Sequence, residues 1–160
     1  MPRLAVGSEA PDFEAFSHKG SKVCLSELLQ MGPVVLFFYP KDFTSGCTSQ
    51  ACSFRDAHDD FSNLGSTIIG ISADSNESHQ EFASKYTLPF YLVSDEKRCL
   101  HKKYQVGKSW GVLPERITFV IDTDRIIKNI FDSAVFVNKH SKNALQNVRD
   151  LMHYKSQLGS

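Results

Sequence analysis

The sequence predicts an α/β fold: a central mixed β-sheet flanked by helices, preceded by an N-terminal β-hairpin. Three observations carry that expectation. Val34-Val35-Leu36-Phe37-Phe38-Tyr39 and Thr67-Ile68-Ile69-Gly70-Ile71-Ser72 are apolar runs rather than alternating ones, which is how strands buried on both faces read. Between them, Ala51, Phe54, His58, Phe61 and Leu64 form one helical stripe. Strand, helix and strand at this spacing make a βαβ unit, whose crossover is right-handed. Towards the end, Ile117 to Ile121 and Ile126 to Phe131 flank the turn Asp122-Thr123-Asp124-Arg125 and precede a helix over about Ser141 to Tyr154.

The remaining elements follow in order. Gly7 to Phe13 is an extended lead-in. Phe13 to Phe16 and Val23 to Leu25 form the hairpin, and His18-Lys19-Gly20-Ser21 supplies its turn. Ser26 caps a short helix with Leu28 and Leu29 inward, closed by Gly32-Pro33. The long helix runs from Ser49 to Leu64, and Gly65 ends it in the C′ manner. Asp74-Ser75-Asn76 caps a helix through Tyr86, with Phe82 and Ala83 inward. Pro89 to Val93 is a short strand and Asp95 to Tyr104 a helix. In the last helix Leu145, Val148, Leu151 and Met152 form the core face. No repeat, linker or low-complexity tract divides the chain, so residues 1–160 are expected to be one domain.

Composition narrows the function. The hydrophobic share is 41% and the charged share 22%, as in globular proteins. Lys plus Arg and Asp plus Glu balance at 18 each, which gives no electrostatic reason to expect nucleic acid or a membrane surface as partner. No apolar run approaches the roughly 20 residues of a membrane span, and Met1 to Gly7 has no signal-peptide core. The default expectation is the cytoplasm, with plastid or nucleus the alternative if a targeting segment has been trimmed. Four cysteines in a domain of this size suit a reducing compartment, with one or two thiols kept for chemistry.

The chemistry concentrates between Phe37 and Cys52. The apolar run breaks at Pro40, turns through Lys41 to Gly46, and delivers Cys47 at the start of a helix. There a cysteine meets unpaired backbone N–H groups and the positive end of the helix dipole. Both favour thiolate, the nucleophilic form. Thr44 can place a hydroxyl beside the sulfur, accepting from a backbone N–H and donating to a bound oxygen. Pro40 fixes φ and covers the sulfur on one side, and Gly46 lets the backbone come close. Together they describe a small pocket for a small polar electrophile. Cys52 lies five positions on. In a helix, positions i and i+5 have Cα atoms about 8.5 Å apart, beyond the ~4.4–6.8 Å a disulfide accepts. Either the two never bond, or the helix unwinds locally when they do.

Pro40-x-x-x-Thr44-x-x-Cys47 resembles the peroxiredoxin active-site pattern. Phe38-Tyr39-Pro40-Lys41-Asp42 with Gly46-Cys47-Thr48-x-Gln50-Ala51-Cys52-x-Phe54-Arg55-Asp56 is similar to the peroxiredoxin Q, or bacterioferritin comigratory protein, subfamily (atypical 2-Cys). The likeness extends to Ala10-Pro11-Asp12-Phe13, Gly70-Ile71-Ser72-x-Asp74, Ser94-Asp95-Glu96 and Leu113-Pro114-x-Arg116-x-Thr118-Phe119-Val120-Ile121-Asp122. It implies a thioredoxin-like fold and thiol-dependent reduction of hydrogen peroxide and alkyl hydroperoxides, in antioxidant defence and redox homeostasis. By motif position Cys47 is peroxidatic, Cys52 resolving, and Pro40, Thr44 and Arg116 complete the pocket. The implied cycle passes through a Cys47 sulfenic acid and a Cys47–Cys52 disulfide, with thioredoxin or glutaredoxin as reductant. It needs no metal and no organic cofactor. Without a C-terminal extension bearing a resolving cysteine, the expectation is a monomer. Phe43-Thr44-Ser45 departs from the family's usual acidic residue, Thr and Pro. Lys108-Ser109-Trp110-Gly111 is short, as in the plant and algal branch, and Trp110 reads as a core or rim aromatic near the pocket.

Other classes fare less well. A general disulfide oxidoreductase uses C-x-x-C, close enough to bond without unfolding, whereas the spacing here is C-x4-C. A zinc site needs four ligands, and no second cysteine or histidine pair has the spacing. A chaperone or peroxide-signalling role is compatible with catalysis. Cys24 and Cys99 read as structural, and His58 as a core or boundary residue.

Overall fold

The structure, a computed structural model, describes residues 4–109, 113–114 and 116–158. The chain-order elements are β1 (Glu14–Phe16), β2 (Lys22–Cys24), α1 (Leu25–Leu28), β3 (Val34–Phe38), α2 (Ser45–Asp56), α3 (His58–Asn63), β4 (Thr67–Ser72) and α4 (Asn76–Tyr86). They continue with β5 (Tyr91–Ser94), α5 (Cys99–Lys103), β6 (Lys108–Ser109), β7 (Leu113–Pro114), β8 (Ile117–Ile121), β9 (Ile127–Asp132) and α6 (Lys139–Leu158). A five-stranded sheet has the order β5-β4-β3-β8-β9. β3 pairs parallel with β4 and antiparallel with β8, so the sheet is mixed. β1 and β2 form the expected hairpin, with Ala15 opposite Val23. This is the thioredoxin-like architecture. Trp110 lies outside the described residues.

The continuous apolarity of β3 has a direct cause: it feeds two cores. Val34, Leu36 and Phe38 join Phe13, Val23, Leu25, Ile69, Ile71 and Phe119 on one side. Val35, Phe37 and Tyr39 join Phe54, Phe61, Phe82, Ala144 and Val148 on the other. Successive side chains of a strand point to opposite faces, so a strand covered on both must be apolar at every position. Phe37 stacks on Phe54 with ring centroids 4.5 Å apart, fastening α2 to the strand that leads into it. No helix among the described residues is long and apolar enough to cross a membrane.

Several boundaries differ from the sequence expectation. The helix predicted over Ser49 to Leu64 begins at Ser45 and is two segments, separated at Ala57 (φ −94°, ψ 1°). The bend keeps Phe54 and Phe61 both fully buried and leaves Asp59 and Asp60 in solvent. His58 is half-buried at its boundary. Ser26 lies inside α1 rather than capping it. Cys24 occupies the cap position, and Asp12 accepts the Ser26 N–H at 3.0 Å. The helix predicted from Asp95 is only Cys99–Lys103, because the Asp95 carboxylate reaches forward to accept the N–H groups of Leu100 (3.1 Å) and His101 (2.9 Å). α6 extends past Ser141 to Tyr154 at both ends, and its deepest residues include His140, Ser141 and Ala144; Leu151 and Met152 sit at its half-buried edge. Gly65 does close α3, at φ 73°, and a Cβ on Gly32 would meet its carbonyl oxygen at 2.1 Å.

Candidate active site

β3 delivers the chain to the site and its ladder continues one residue further, the Tyr39 N–H donating to the Ile71 carbonyl at 3.1 Å. Pro40, half-buried, follows at once. In the loop that comes next, Lys41, Phe43 and Thr44 are exposed, but Asp42 is only 3% exposed. The Asp42 carboxylate accepts from the Tyr39 hydroxyl (2.6 Å) and the Ser78 hydroxyl (2.8 Å), and faces His79 Nδ1 at 2.7 Å. Its own N–H donates to Asp74 Oδ2 at 2.8 Å. Burial, then the neighbouring Asp42 charge, hold the Tyr39 phenol well above its ordinary pKa, so it stays a donor. Phe43 then adopts φ 67°, a left-handed conformation that costs a non-glycine residue about 1–2 kcal/mol. Its ring rests edge-on against Phe82, centroids 5.2 Å apart.

α2 begins at Ser45 with Thr44 as its cap residue in extended conformation. Here the structure corrects one expectation. The Thr44 hydroxyl does not accept from a helix N–H; it donates to the Lys41 carbonyl at 2.9 Å. The first intrahelical bond runs from the Thr48 N–H to the Thr44 carbonyl at 2.8 Å. The amides of Ser45, Gly46 and Cys47 therefore precede the first helical donor and have no acceptor within the helix, at the positive end of the dipole.

Cys47 is the third residue of α2 and 1% exposed, seated in the apolar cluster with Phe37, Tyr39 and Ala51. Arg116, just before β8 and 8% exposed, brings Nη1 to 3.4 Å from the Cys47 sulfur. The same nitrogen donates to Gln50 Oε1. Gly46 makes this approach possible: a Cβ there would lie 3.1 Å from Arg116 Nη2 and 3.6 Å from Val137 Cγ1. A buried sulfur thus faces a fixed cation and a helix start, so negative charge on it is stabilised twice. The arrangement suits a thiolate nucleophile and a small electrophile whose oxygens take up charge.

The loop between β9 and α6 runs along α2. Asn138 accepts the Ser49 hydroxyl at 2.8 Å, and the hydroxyls of Ser53 and Ser141 are bonded to each other. His140 anchors that loop: its Nε2 donates to the Ser133 carbonyl (2.8 Å) and its Nδ1 faces the Thr118 hydroxyl (2.8 Å). Burial, aided by the nearby Arg116 charge, lowers its pKa from 6.5 to about 4.

Cys52 is half-buried further along α2, and all four cysteines are free thiols. The helix is continuous from Ser45 to Asp56, so the two sulfur-bearing residues are held about 8.5 Å apart at Cα. The structure therefore brings Cys47 and Arg116 together, with Thr44 at the helix start and Pro40 at the strand end, and holds Cys52 apart. Sequence reasoning missed Gln50, Asp42, His79 and His140. Gln50 was findable, since i+3 from Cys47 lies on the same helix face. Asp42, Asp74 and His79 place ligand-type atoms within 4.8 Å of one another, but those atoms are engaged with Tyr39, Ser72, Ser78 and the Asp42 N–H. They act as a fastening. Cys24 Sγ contacts Ser26 Oγ at 3.3 Å, and Cys99 is exposed.

A model of the AhpC/TSA family matches residues 6–130. Peroxiredoxin Q, chloroplastic, of Sedum lineare is 39% identical over 150 residues, covering 93% of this chain and 80% of the relative. Among solved structures, Peroxidoxin BcpB from Mycobacterium tuberculosis superposes with TM-score 0.86 at 36% identity, covering 92% of this chain and 98% of that one. Peroxiredoxin Q of Xanthomonas campestris gives 0.82 at 29% identity, covering 93% and 97%.

Proposed function

Because the chain belongs to the AhpC/TSA family, among relatives of the peroxiredoxin Q kind, we propose a specific two-cysteine cycle for its thiol peroxidase activity. The Cys47 thiolate attacks the near oxygen of a hydroperoxide in line. An S–O bond forms as the O–O bond breaks. The departing oxygen takes a proton and leaves as water or alcohol, and Cys47 becomes a sulfenic acid. Arg116 and the open amides at the start of α2 hold the thiolate and stabilise charge developing on the peroxide oxygens. The Thr44 hydroxyl is the nearby group that orients the peroxide, once it exchanges the Lys41 carbonyl for it. Pro40 bounds the pocket at the end of β3.

The first turns of α2 then unwind. Cys52 thiolate attacks the Cys47 sulfur, an S–S bond forms, and hydroxide leaves and is protonated to water. A thioredoxin-type dithiol, or glutaredoxin, returns both cysteines to thiols by exchange. Hydrogen peroxide and alkyl hydroperoxides are the substrates, and the whole chain acts as one unit and as a monomer. The relative from Sedum lineare is chloroplastic by name, which supports the plastid over the cytoplasm.

The observation that carries this reading is Arg116 Nη1 at 3.4 Å from the buried Cys47 sulfur. Peptide mass mapping tests it. One equivalent of hydrogen peroxide added to the reduced protein gives a Cys47–Cys52 disulfide, and Cys52→Ser traps Cys47 as sulfenic acid. Unchanged thiols at both positions would sink it.

A further inference from the structure

The loop that leads to Cys47 is fastened by a buried hydrogen-bond network at one residue, and the fastening has no part in the chemistry described so far. Asp42 is that residue. Its carboxylate takes hydrogen bonds from Tyr39 at the end of β3 and from Ser78 in α4, and faces His79. Its N–H is held by Asp74. The anchors are themselves fixed to the sheet. Asp74 Oδ2 accepts the Ser72 hydroxyl of β4 at 2.6 Å, and the Asp74 carbonyl accepts the Ser94 hydroxyl of β5 at 2.6 Å. His79 Nε2 faces the Val93 carbonyl of β5 at 3.1 Å. One loop residue is thus tied to three strands and a helix.

Immediately downstream the character changes. Phe43 is 42% exposed and left-handed at φ 67°, and among the described residues only its ring, resting on Phe82, ties it to α4 rather than any hydrogen bond to the sheet. Straightening it relieves strain rather than creating it. The Thr44 hydroxyl turns back into the loop, to Lys41, and its carbonyl takes the Thr48 N–H of α2. The helix start has no side-chain cap.

We propose that Asp42 is the fixed pivot of the loop: opening of α2 starts at Phe43 and never passes upstream of Asp42. The inference rests on the two-cysteine cycle proposed above for its functional meaning. Reach decides that the pivot suffices. The five residues Phe43 to Cys47 span up to about 17 Å when extended. Cys47 needs only to close a Cα gap of about 8.5 Å to within disulfide range. Freeing the chain upstream of Asp42 would add nothing to the encounter and would break the buried bonds of Asp42 with Tyr39, Ser78 and Asp74. Asp42 is therefore a positioning residue: it sets the origin from which the peroxidatic segment swings out and returns.

Amide hydrogen exchange of the full chain, resolved by residue, tests this. In the reduced protein the Thr48 amide exchanges at least about tenfold faster than those of Tyr39 and Asp42, reporting local opening. In the peroxide-oxidised protein Thr48 loses its protection while Tyr39 and Asp42 keep theirs. Asp42→Asn sets an amide NH2 among the Tyr39 and Ser78 hydroxyls, both of which donated to the carboxylate. It removes protection at position 42 and speeds Thr48 exchange about tenfold, with amides of β3 and β8 unchanged. Ser78→Ala, which removes one tie, moves Thr48 the same way by about threefold. Co-opening of Asp42 with Thr48 in the unaltered protein, or unchanged Thr48 exchange in both variants, would overturn the pivot. The reduced-state comparison needs no peroxide. If peroxide left Cys47 and Cys52 as thiols, the catalytic cycle would fail while the pivot was still decided.

Discussion

α2 and α4 follow the same kind of β-strand and begin in opposite ways. α4 is capped by its own sequence: Ser75 Oγ accepts the Ser78 N–H at 3.1 Å, Glu77 stands in the first turn and Lys85 in the last. α2 has Thr44 in the equivalent place, yet its hydroxyl is turned to Lys41 and its first turn contains no acid. What holds the start of α2 comes from elsewhere in the chain: Arg116 over the sulfur and Gln50, and Val137 and Asn138 alongside. A cap side chain or a first-turn carboxylate would satisfy the amides and neutralise the dipole. Leaving both out keeps donors and positive potential available to a thiolate and a peroxide. The same omission makes this helix start easier to open, so in the proposed cycle one feature serves both the chemistry and the unwinding of α2.

The largest test of the contrast removes the outside support. Arg116→Ala takes away the cation beside the sulfur and frees Gln50. Loss of a positioned donor of this kind costs about 10²–10³ in rate. Single-turnover oxidation of Cys47, followed by loss of free thiol, should slow by that factor. If the rate stayed within about threefold, the helix start alone would be sufficient to activate Cys47, and α2 would not depend on its neighbours.

Much of this was legible in the sequence, for physical reasons specific to each part. β3 and β4 announced themselves because a strand packed on both faces has no position for a polar residue. Pro40, Thr44, Cys47 and Cys52 were readable because a strand–turn–helix junction with a cysteine at the helix start is local in sequence. The direction of the Thr44 hydroxyl was not, since Lys41 and the helix amides are both within its reach. Asp42 was hidden because its partners Asp74, Ser78 and His79 lie more than thirty positions away, and an aspartate in an exposed loop normally needs none. The bend at Ala57 was missed because the apolar stripe continues through it, and periodicity records which face is buried but not a change of axis.

A smaller effect comes from the loop that flanks α2. His140 is buried and neutral, its pKa lowered from 6.5 to about 4. A histidine whose folded pKa is depressed favours folding fully above its ordinary value and loses that contribution as pH falls towards the folded value. The window is therefore pH 6.5 down to about 4, and a shift of this size corresponds to about 3 kcal/mol. Once charged, Nδ1 can no longer accept the Thr118 hydroxyl, and the Ser133–Asn138 segment loosens along α2. Chemical denaturation of the native protein and of His140→Gln at several pH values checks this. Their stability difference should shrink across that window, and a difference independent of pH would refute the assignment.

The smallest effect is the most direct probe of the two helix starts. Ser75→Ala removes the cap of α4 and should cost about 1 kcal/mol of stability, while Cys47 oxidation proceeds at its original rate. Thr44→Asp does the reverse for α2. A carboxylate at the cap position can accept from the Gly46 or Cys47 amide and complement the dipole, adding up to about 1 kcal/mol. The melting temperature should rise slightly, and two rates should fall. Peroxide attack slows because the amides are taken and a negative charge stands beside the sulfur. Disulfide closure with Cys52 slows because the first turn now resists unwinding. Stopped-flow oxidation with mass detection of the disulfide separates the two steps. If Thr44→Asp stabilised the protein and left both rates unchanged, the open amides of α2 would be incidental, and the difference between the two helices would belong to packing rather than to function.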